Sequence, residues 1–263
     1  MRHMDAKTEI QIIQDDLAQS RNSKNNVQII SNLRKLGQLY LESGDAPQAL
    51  TQFNEALKLV ADTEDQVAHA QILGFRGIAL KMIGNFSLAL QSFRKSNAIA
   101  KSVGHAHLTC DSFIQIALLR SELSDITDAI SNLSQAMRIA VEQKDQTRRM
   151  RVASLLADNF FKLEAFDKAV DYYVLGSELA CELQNRQAEA SFLTKVANIF
   201  LLEGEIESAI GQYEHALKIA SGIEDRNAEI NILGGLFRAH AQNGNIGLAD
   251  VYGKQVINLA REK

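Results

Sequence analysis

Gly44-Asp45-Ala46-Pro47-Gln48-Ala49-Leu50-Thr51-Gln52-Phe53-Asn54-Glu55-Ala56-Leu57-Lys58-Leu59 is the stretch that decides the fold, because the chain returns to it every forty residues. Ala49 recurs as Ala89, Ala129, Ala169, Ala209 and Ala249, and Gly44 as Gly84, Gly204 and Gly244. Leu59 recurs as Ile99, Ile139, Leu179, Ile219 and Leu259. A fixed period of this length marks an array of small units, none of which buries its apolar face alone.

Within one unit the spacing is helical. Ile30, Leu33, Leu36, Leu39 and Tyr40 recur at three and four residues upstream of the quoted stretch, and Ala49, Phe53, Ala56 and Leu59 share one face within it. Between these runs Gly44 suits the left-handed residue past a helix end, and Asp45 suits the next N-cap. The pair returns as Gly84-Asn85 and Gly244-Asn245, with Ser124-Asp125 as a variant. Short polar turns such as 62–66, 143–146 and 222–226 close each unit. The unit is helix, tight turn, helix, polar turn. The alanine ladder marks close backbone approach, and Phe53, Phe93, Leu133, Tyr173 and Tyr213 fill the space beside it.

Residues 5–20 keep an apolar stripe at Ile10, Ile13 and Leu17 without completing a unit, so the first segment, 1–26, reads as a capping helix and turn. Six units follow, at about 27–66, 67–106, 107–146, 147–186, 187–226 and 227–263, giving one continuous domain of thirteen helices. The expected fold is all-α, a right-handed solenoid of antiparallel helix pairs with six repeats and an N-terminal half-repeat. The last repeat carries Asp250 and Gly253 where earlier copies have an aliphatic and an aromatic residue, which reads as a polar terminal cap or a docking edge.

Composition narrows the function. A net charge of -4 gives no general attraction to nucleic acid or to an anionic membrane. No window approaches the roughly 18 apolar residues of a membrane span, and Met1–Thr8 holds no signal-peptide core. Cys110 and Cys181 fall at different repeat positions, as expected of reduced thiols in a cytoplasmic protein. His105-x-His107-x-x-Cys110-Asp111 groups metal-ligand residue types but lacks the second pair that structural zinc needs, so these are read as turn and helix-start residues. Gly74-x-x-Gly77 and Gly234-Gly235 lie inside helices and are read as close-packing sites. Lys144, Arg148, Arg149 and Arg151 read as a solvated helix entry. No catalytic set, metal or cofactor is expected, and the chain is read as not an enzyme.

Leu36-Gly37-x-x-Tyr40, followed by Ala49, Phe53 and Ala56, resembles the tetratricopeptide repeat pattern, and the resemblance covers residues 27–263. Two departures stand out. Leu33, Leu73, Phe113, Ala153, Leu193 and Leu233 replace the family's first large aromatic, and the proline at the repeat end is missing. The forty-residue length is similar to the long repeats of cell-polarity adaptors, kinesin light chains and bacterial peptide-sensing regulators. The resemblance implies that the first helix of each unit lines a concave groove for peptides or partner helices. On that face fall Arg34, Gln38, Phe75, Ile78, Gln115, Leu118, Asp158, Lys195, Asn198 and Arg238. The apolar members Phe75, Ile78 and Leu118 serve either an apolar partner stripe or packing between helices. Asp111 stands where co-chaperone members place a cation for a terminal carboxylate, which argues against that partner class.

The function expected from the resemblance is a non-catalytic scaffold for a protein or peptide partner, without nucleic acid or membrane. The alternative is a regulatory sensor domain whose groove binds a short peptide or small effector and controls an effector protein. A homodimer through the C-terminal repeat is a further partner the sequence allows.

Overall fold

The computed structural model describes residues 6–261, with side chains from Thr8 onward; the expectation placed on Met1–Asp5 lies outside these residues. Thirteen helices carry the described chain, and no strand occurs among these residues. They are α1 (Ala6–Asn22), α2 (Asn26–Glu42), α3 (Ala46–Val60), α4 (Gln66–Met82), α5 (Phe86–Ser102), α6 (Ala106–Glu122), α7 (Ile126–Glu142), α8 (Gln146–Lys162), α9 (Phe166–Glu182), α10 (Arg186–Glu203), α11 (Ile206–Gly222), α12 (Arg226–Gln242) and α13 (Ile246–Arg261). Even-numbered helices are the first helices of the repeats, and odd-numbered helices from α3 onward are the second. The architecture is an all-α solenoid built from consecutive helix pairs. It divides into two compact units, residues 1–139 and 140–263. In the first, each helix from α1 to α6 packs on the next; in the second, the same holds from α8 to α13.

The turns reveal a finer period than forty. Left-handed backbone recurs at Lys24, Gly44, Gly84, Gly104, Ser124, Lys144, Glu164, Gln184, Gly204, Glu224 and Gly244, so both kinds of turn share one geometry at twenty-residue intervals. The residue after each of these serves two helices. Asp45 donates its N–H to Tyr40 O at 2.8 Å, closing α2 with the long-range bond of a Schellman motif, and its carboxylate accepts from Gln48 N at 3.1 Å, opening α3. Asn85, Asp145, Asn185 and Asp225 repeat both bonds. His105 does so too, with Nδ1 accepting from Leu108 N at 3.3 Å. That is why His105 can stand in the sequence where Asp or Asn stands in most of the other turns. The turn after α3 departs from this geometry, because α3 ends two residues early and the turn closes through Thr63 Oγ1 on Val60 O.

The alanine ladder lies at the centre of the packing, and Ala49, Ala89, Ala129, Ala169 and Ala209 are wholly buried. The large residues seat against the opposing first helix rather than merely beside that ladder. A Cβ on Gly37 would lie 2.5 Å from the Phe53 ring, and one on Gly77 would lie 2.4 Å from Phe93. Between repeats of the second unit both arrangements occur, with Phe192 of α10 covering Gly176 of α9 and Tyr213 of α11 covering Gly235 of α12. Knobs seated against absent side chains set the helix spacing.

Candidate functional site

The first-helix residues expected to face a partner divide by unit. In residues 1–139, Arg34 of α2 donates to Gln71 of α4, and Gln38, Gln115 and Leu118 are half-buried. Phe75 stacks on Phe53 with ring centroids 5.8 Å apart and planes at 15°. Ile78 packs against the cluster of Leu80, Ala89 and Phe93. Phe75 and Ile78 are therefore engaged in helix packing.

In residues 140–263 the expected residues meet one another. Asp158 Oδ1 of α8 accepts from the Tyr173 hydroxyl of α9 at 2.5 Å and from Lys195 Nζ of α10 at 2.8 Å. The Lys195 ammonium also lies 4.9 Å from the centre of the Tyr173 ring. One repeat later, Asn198 Oδ1 of α10 accepts from the Tyr213 hydroxyl of α11 at 2.6 Å and from Arg238 Nη2 of α12 at 3.4 Å. Because a guanidinium only donates, the Asn198 atom facing Arg238 is the oxygen, and Nδ2 is turned away from it.

The origin of these polar positions is local. Where the second helix carries Tyr173 or Tyr213, the partnered first-helix position carries Asp158 or Asn198. Where it carries Phe53, Phe93 or Leu133, that position holds Gln38, Ile78 or Leu118. A buried hydroxyl demands an acceptor and a phenyl ring does not. Burial, with donation to the Asp158 carboxylate added, pushes the Tyr173 hydroxyl well above its ordinary range, and burial pushes up Tyr213. Asp158 and Asn198 thus have a structural task that accounts for their polarity without a partner.

Beyond these residues lies a cavity of about 380 Å³ lined by Phe161, Asn198, Leu201, Leu202, Arg238 and Gln242, contributed by α8, α10 and α12. Leu202 is 65% exposed and Phe161 39% exposed, although each is a large apolar side chain on a helical face. Reading the first-helix face only as far as Asp158, Asn198 and Arg238 missed Phe161, Leu201, Leu202 and Gln242, which sit one turn further on. The available signal was Leu202 itself, at a repeat position that holds Glu42, Glu122, Lys162 and Gln242 in four other copies and Met82 in the fifth. A second, more polar cleft of about 580 Å³ runs between the N-terminal halves of α10 and α12, with Ser191, Thr194, Lys195, Asp225 and Asn231 among its walls.

The other candidates from the sequence resolve into helix starts and packing. Arg148 pairs with Asp145 at 2.6 Å, and Arg149 donates to Gln146 at 2.5 Å, both at the entry of α8. Cys110 is buried and donates to Ala136 O, while Cys181 is exposed. Among the described residues no group of three or more His, Cys, Asp or Glu side chains is placed to hold a metal ion, and no helix is long and apolar enough to cross a membrane.

The tetratricopeptide repeat family model matches residues 28–102, so the first two repeats are tetratricopeptide repeats and the later ones keep their register. The 43 kDa receptor-associated protein of the synapse from Tetronarce californica is 20% identical over 200 residues, 72% of this chain and 48% of that protein. The chain therefore spans about half the length of that curated relative. A signal transduction ATPase with numerous domains from Pyrococcus horikoshii, described as carrying a tetratricopeptide repeat sensor, superposes with a TM-score of 0.77 at 14% identity, over 90% of this chain and 37% of that one. A Rap protein complexed with Competence and Sporulation Factor superposes with a TM-score of 0.59 at 14% identity, over 99% of this chain and 77% of that one. These structural likenesses establish the fold alone.

Proposed function

We propose that this tetratricopeptide-repeat chain is a non-catalytic cytoplasmic scaffold that holds a peptide or partner helix against the first-helix face of its repeats. The observation that carries the reading is the cavity between α8, α10 and α12. There Phe161 and Leu202 remain exposed beside the side-chain donors of Asn198, Arg238 and Gln242. Apolar area flanked by a few hydrogen-bonding groups is what a peptide-binding surface supplies. The partner class is protein or peptide, not nucleic acid or membrane. A homodimer through the C-terminal repeat is a separate possibility, with the exposed face of α13 as its surface.

The test is affinity capture on the immobilised chain, with bound proteins identified by mass spectrometry. Leu202→Asp is expected to release the partners, whereas Lys58→Ala and Lys218→Ala, on exposed second-helix positions, are expected to keep them. The reverse pattern would put binding on the second-helix side.

The alternative reading is a regulatory sensor domain in which a bound peptide or small effector controls an effector protein. It is favoured by two structural neighbours, one described as a repeat sensor and one complexed with a signalling factor. It predicts that a captured ligand alters the activity of a second, captured protein.

A further inference from the structure

Donors and acceptors on the first-helix face of residues 140–263 are unevenly matched. The carboxylates of Asp158 and Asp225 are already engaged. Asp158 receives Tyr173 and Lys195. Asp225 receives the Ala228 N–H on Oδ1 at 3.0 Å and the Gln187 amide on Oδ2 at 3.0 Å. The Asn198 oxygen receives Tyr213 and Arg238. Donors, in contrast, are left over. Asn198 Nδ2 has no acceptor among the described residues. Lys195 brings three N–H bonds to a single carboxylate oxygen, Asp158 Oδ1. Arg238 meets neutral oxygens, Gly234 O and Asn198 Oδ1, each at 3.4 Å, and the Tyr213 hydroxyl, and no carboxylate pairs with it among the described residues. Arg238 is also the one formal charge among the residues lining the 380 Å³ cavity.

We propose that the occupant of this face is an acidic linear peptide, which places an apolar side chain between Phe161 and Leu202 and its Asp or Glu carboxylates on Arg238 and Lys195. This rests on the peptide-binding reading above and adds the chemistry of the partner. The tyrosines set that chemistry. Tyr213 holds the Asn198 amide with its oxygen inward and Tyr173 holds Asp158, so acceptors are drawn into the fold and donors stay outside. An incoming group that brings acceptors completes bonds left open, while one that brings donors leaves buried N–H groups facing each other. Side-chain carboxylates fit better than a free C-terminus, because the two cations sit on successive first helices, α10 and α12, and do not converge on one point.

The experiment uses the full chain and short fluorescein-labelled peptides, acetylated and amidated at their ends, in which Leu alternates with Asp, Asn or Lys. Fluorescence anisotropy titrations are expected to show binding of the Leu/Asp peptide, with the Leu/Asn peptide weaker by about tenfold. Salt is expected to weaken only the acidic peptide. Arg238→Gln should remove about tenfold from the acidic peptide and leave the Leu/Asn peptide unchanged. Arg238 and Leu202 are both exposed, and circular dichroism is expected to be unchanged in their variants. Equal affinity for the Asp and Asn peptides, with both lost in Leu202→Asp, would overturn the acidic preference and keep the peptide-binding reading. Binding that ignores Leu202→Asp, or no binding by any peptide, would overturn both. A Leu/Asn peptide with a free C-terminus that matches the Leu/Asp peptide would replace side-chain recognition by terminal recognition and so overturn the proposal.

Discussion

At the scale of single residues, Gly74 and Gly77 of α4 show how identical residues three positions apart do different work. A Cβ at Gly77 would enter the Phe93 ring at 2.4 Å, whereas one at Gly74 would meet only Ser96 Oγ at 3.6 Å. Gly77→Ala is expected to destabilise by about 1–3 kcal/mol through overpacking, and Gly74→Ala to stabilise by up to about 1 kcal/mol through helix propensity. Thermal melts of the two variants should move in opposite directions; a shared direction would mean that the ring does not occupy the glycine's place. His240 offers a second case, since it is buried on the α13 side of α12, stacked on Tyr252 at 5.4 Å, with both ring nitrogens lacking a hydrogen bond. Earlier repeats hold Phe160 and Phe200 at this position. His240→Phe removes an unsatisfied donor while keeping the stack, and denaturant titration should show a gain of about 1–3 kcal/mol. The raised tyrosine hydroxyls have a pH signature. Their protons are held more tightly in the folded chain than in the unfolded one, so their stabilisation is complete below about pH 10 and is lost as pH rises above it. Tyr173→Phe with Tyr213→Phe should flatten the alkaline loss of stability above about pH 10, measured by urea midpoints across that range.

At the scale of elements, the helix starts were legible because a carboxylate or amide at a fixed place has one economical use there. What the sequence hid was that both kinds of turn are the same turn. Forty-residue glycines such as Gly84 and Gly204 are visible, but Lys24, Lys144, Glu164, Gln184 and Glu224 adopt the same left-handed backbone without glycine, held by a helix closed on one side and opened on the other. Residue type gives no warning of that, since the constraint comes from the two helices. The cap series also has gaps. Ala165 before α9 and Glu205 before α11 accept no N-cap hydrogen bond through their side chains. Ala165→Asp supplies the acceptor that Asp145 and Asp225 provide elsewhere, and is expected to raise stability by about 0.5–2 kcal/mol. Asp225→Ala should lower it by a similar amount. Equal melting temperatures for Ala165→Asp and the parent chain would mean that the first turn of α9 already satisfies its donors through water.

At the scale of the whole molecule, helix number, pairing and core were legible from the period because burial repeats with it, while the cavity was not. Periodic reading finds residues that conform, and Phe161 and Leu202 lie where the repeats differ. The C-terminal repeat makes the same point in reverse, for its departures form a set. Gly253 replaces the aromatic knob, and Phe237 of α12 replaces the small residue opposite, so that the ring now lies over the glycine at 3.4 Å from its would-be Cβ, with knob and hole exchanged. Val256 stands where Ala56, Ser96, Ala136, Gly176 and Ala216 leave room for a following helix, and Asp250, paired with Lys254 at 2.5 Å, stands where Leu50, Leu90, Ile130, Val170 and Ile210 supply apolar surface. Both changes oppose stacking of one more repeat on α13. The same helix still exposes Ile246, Leu248, Val251 and Ile257, so the Asp250–Lys254 pair is set among exposed apolar side chains. If the Asp250 charge keeps the exposed face of α13 closed to other chains, Asp250→Leu should leave the melting temperature close to that of the parent, because the side chain is exposed, yet produce concentration-dependent association in sedimentation velocity. A parent chain that already sediments as a dimer, and that Val251→Asp converts to a monomer, would instead make α13 an interface and end the capping interpretation.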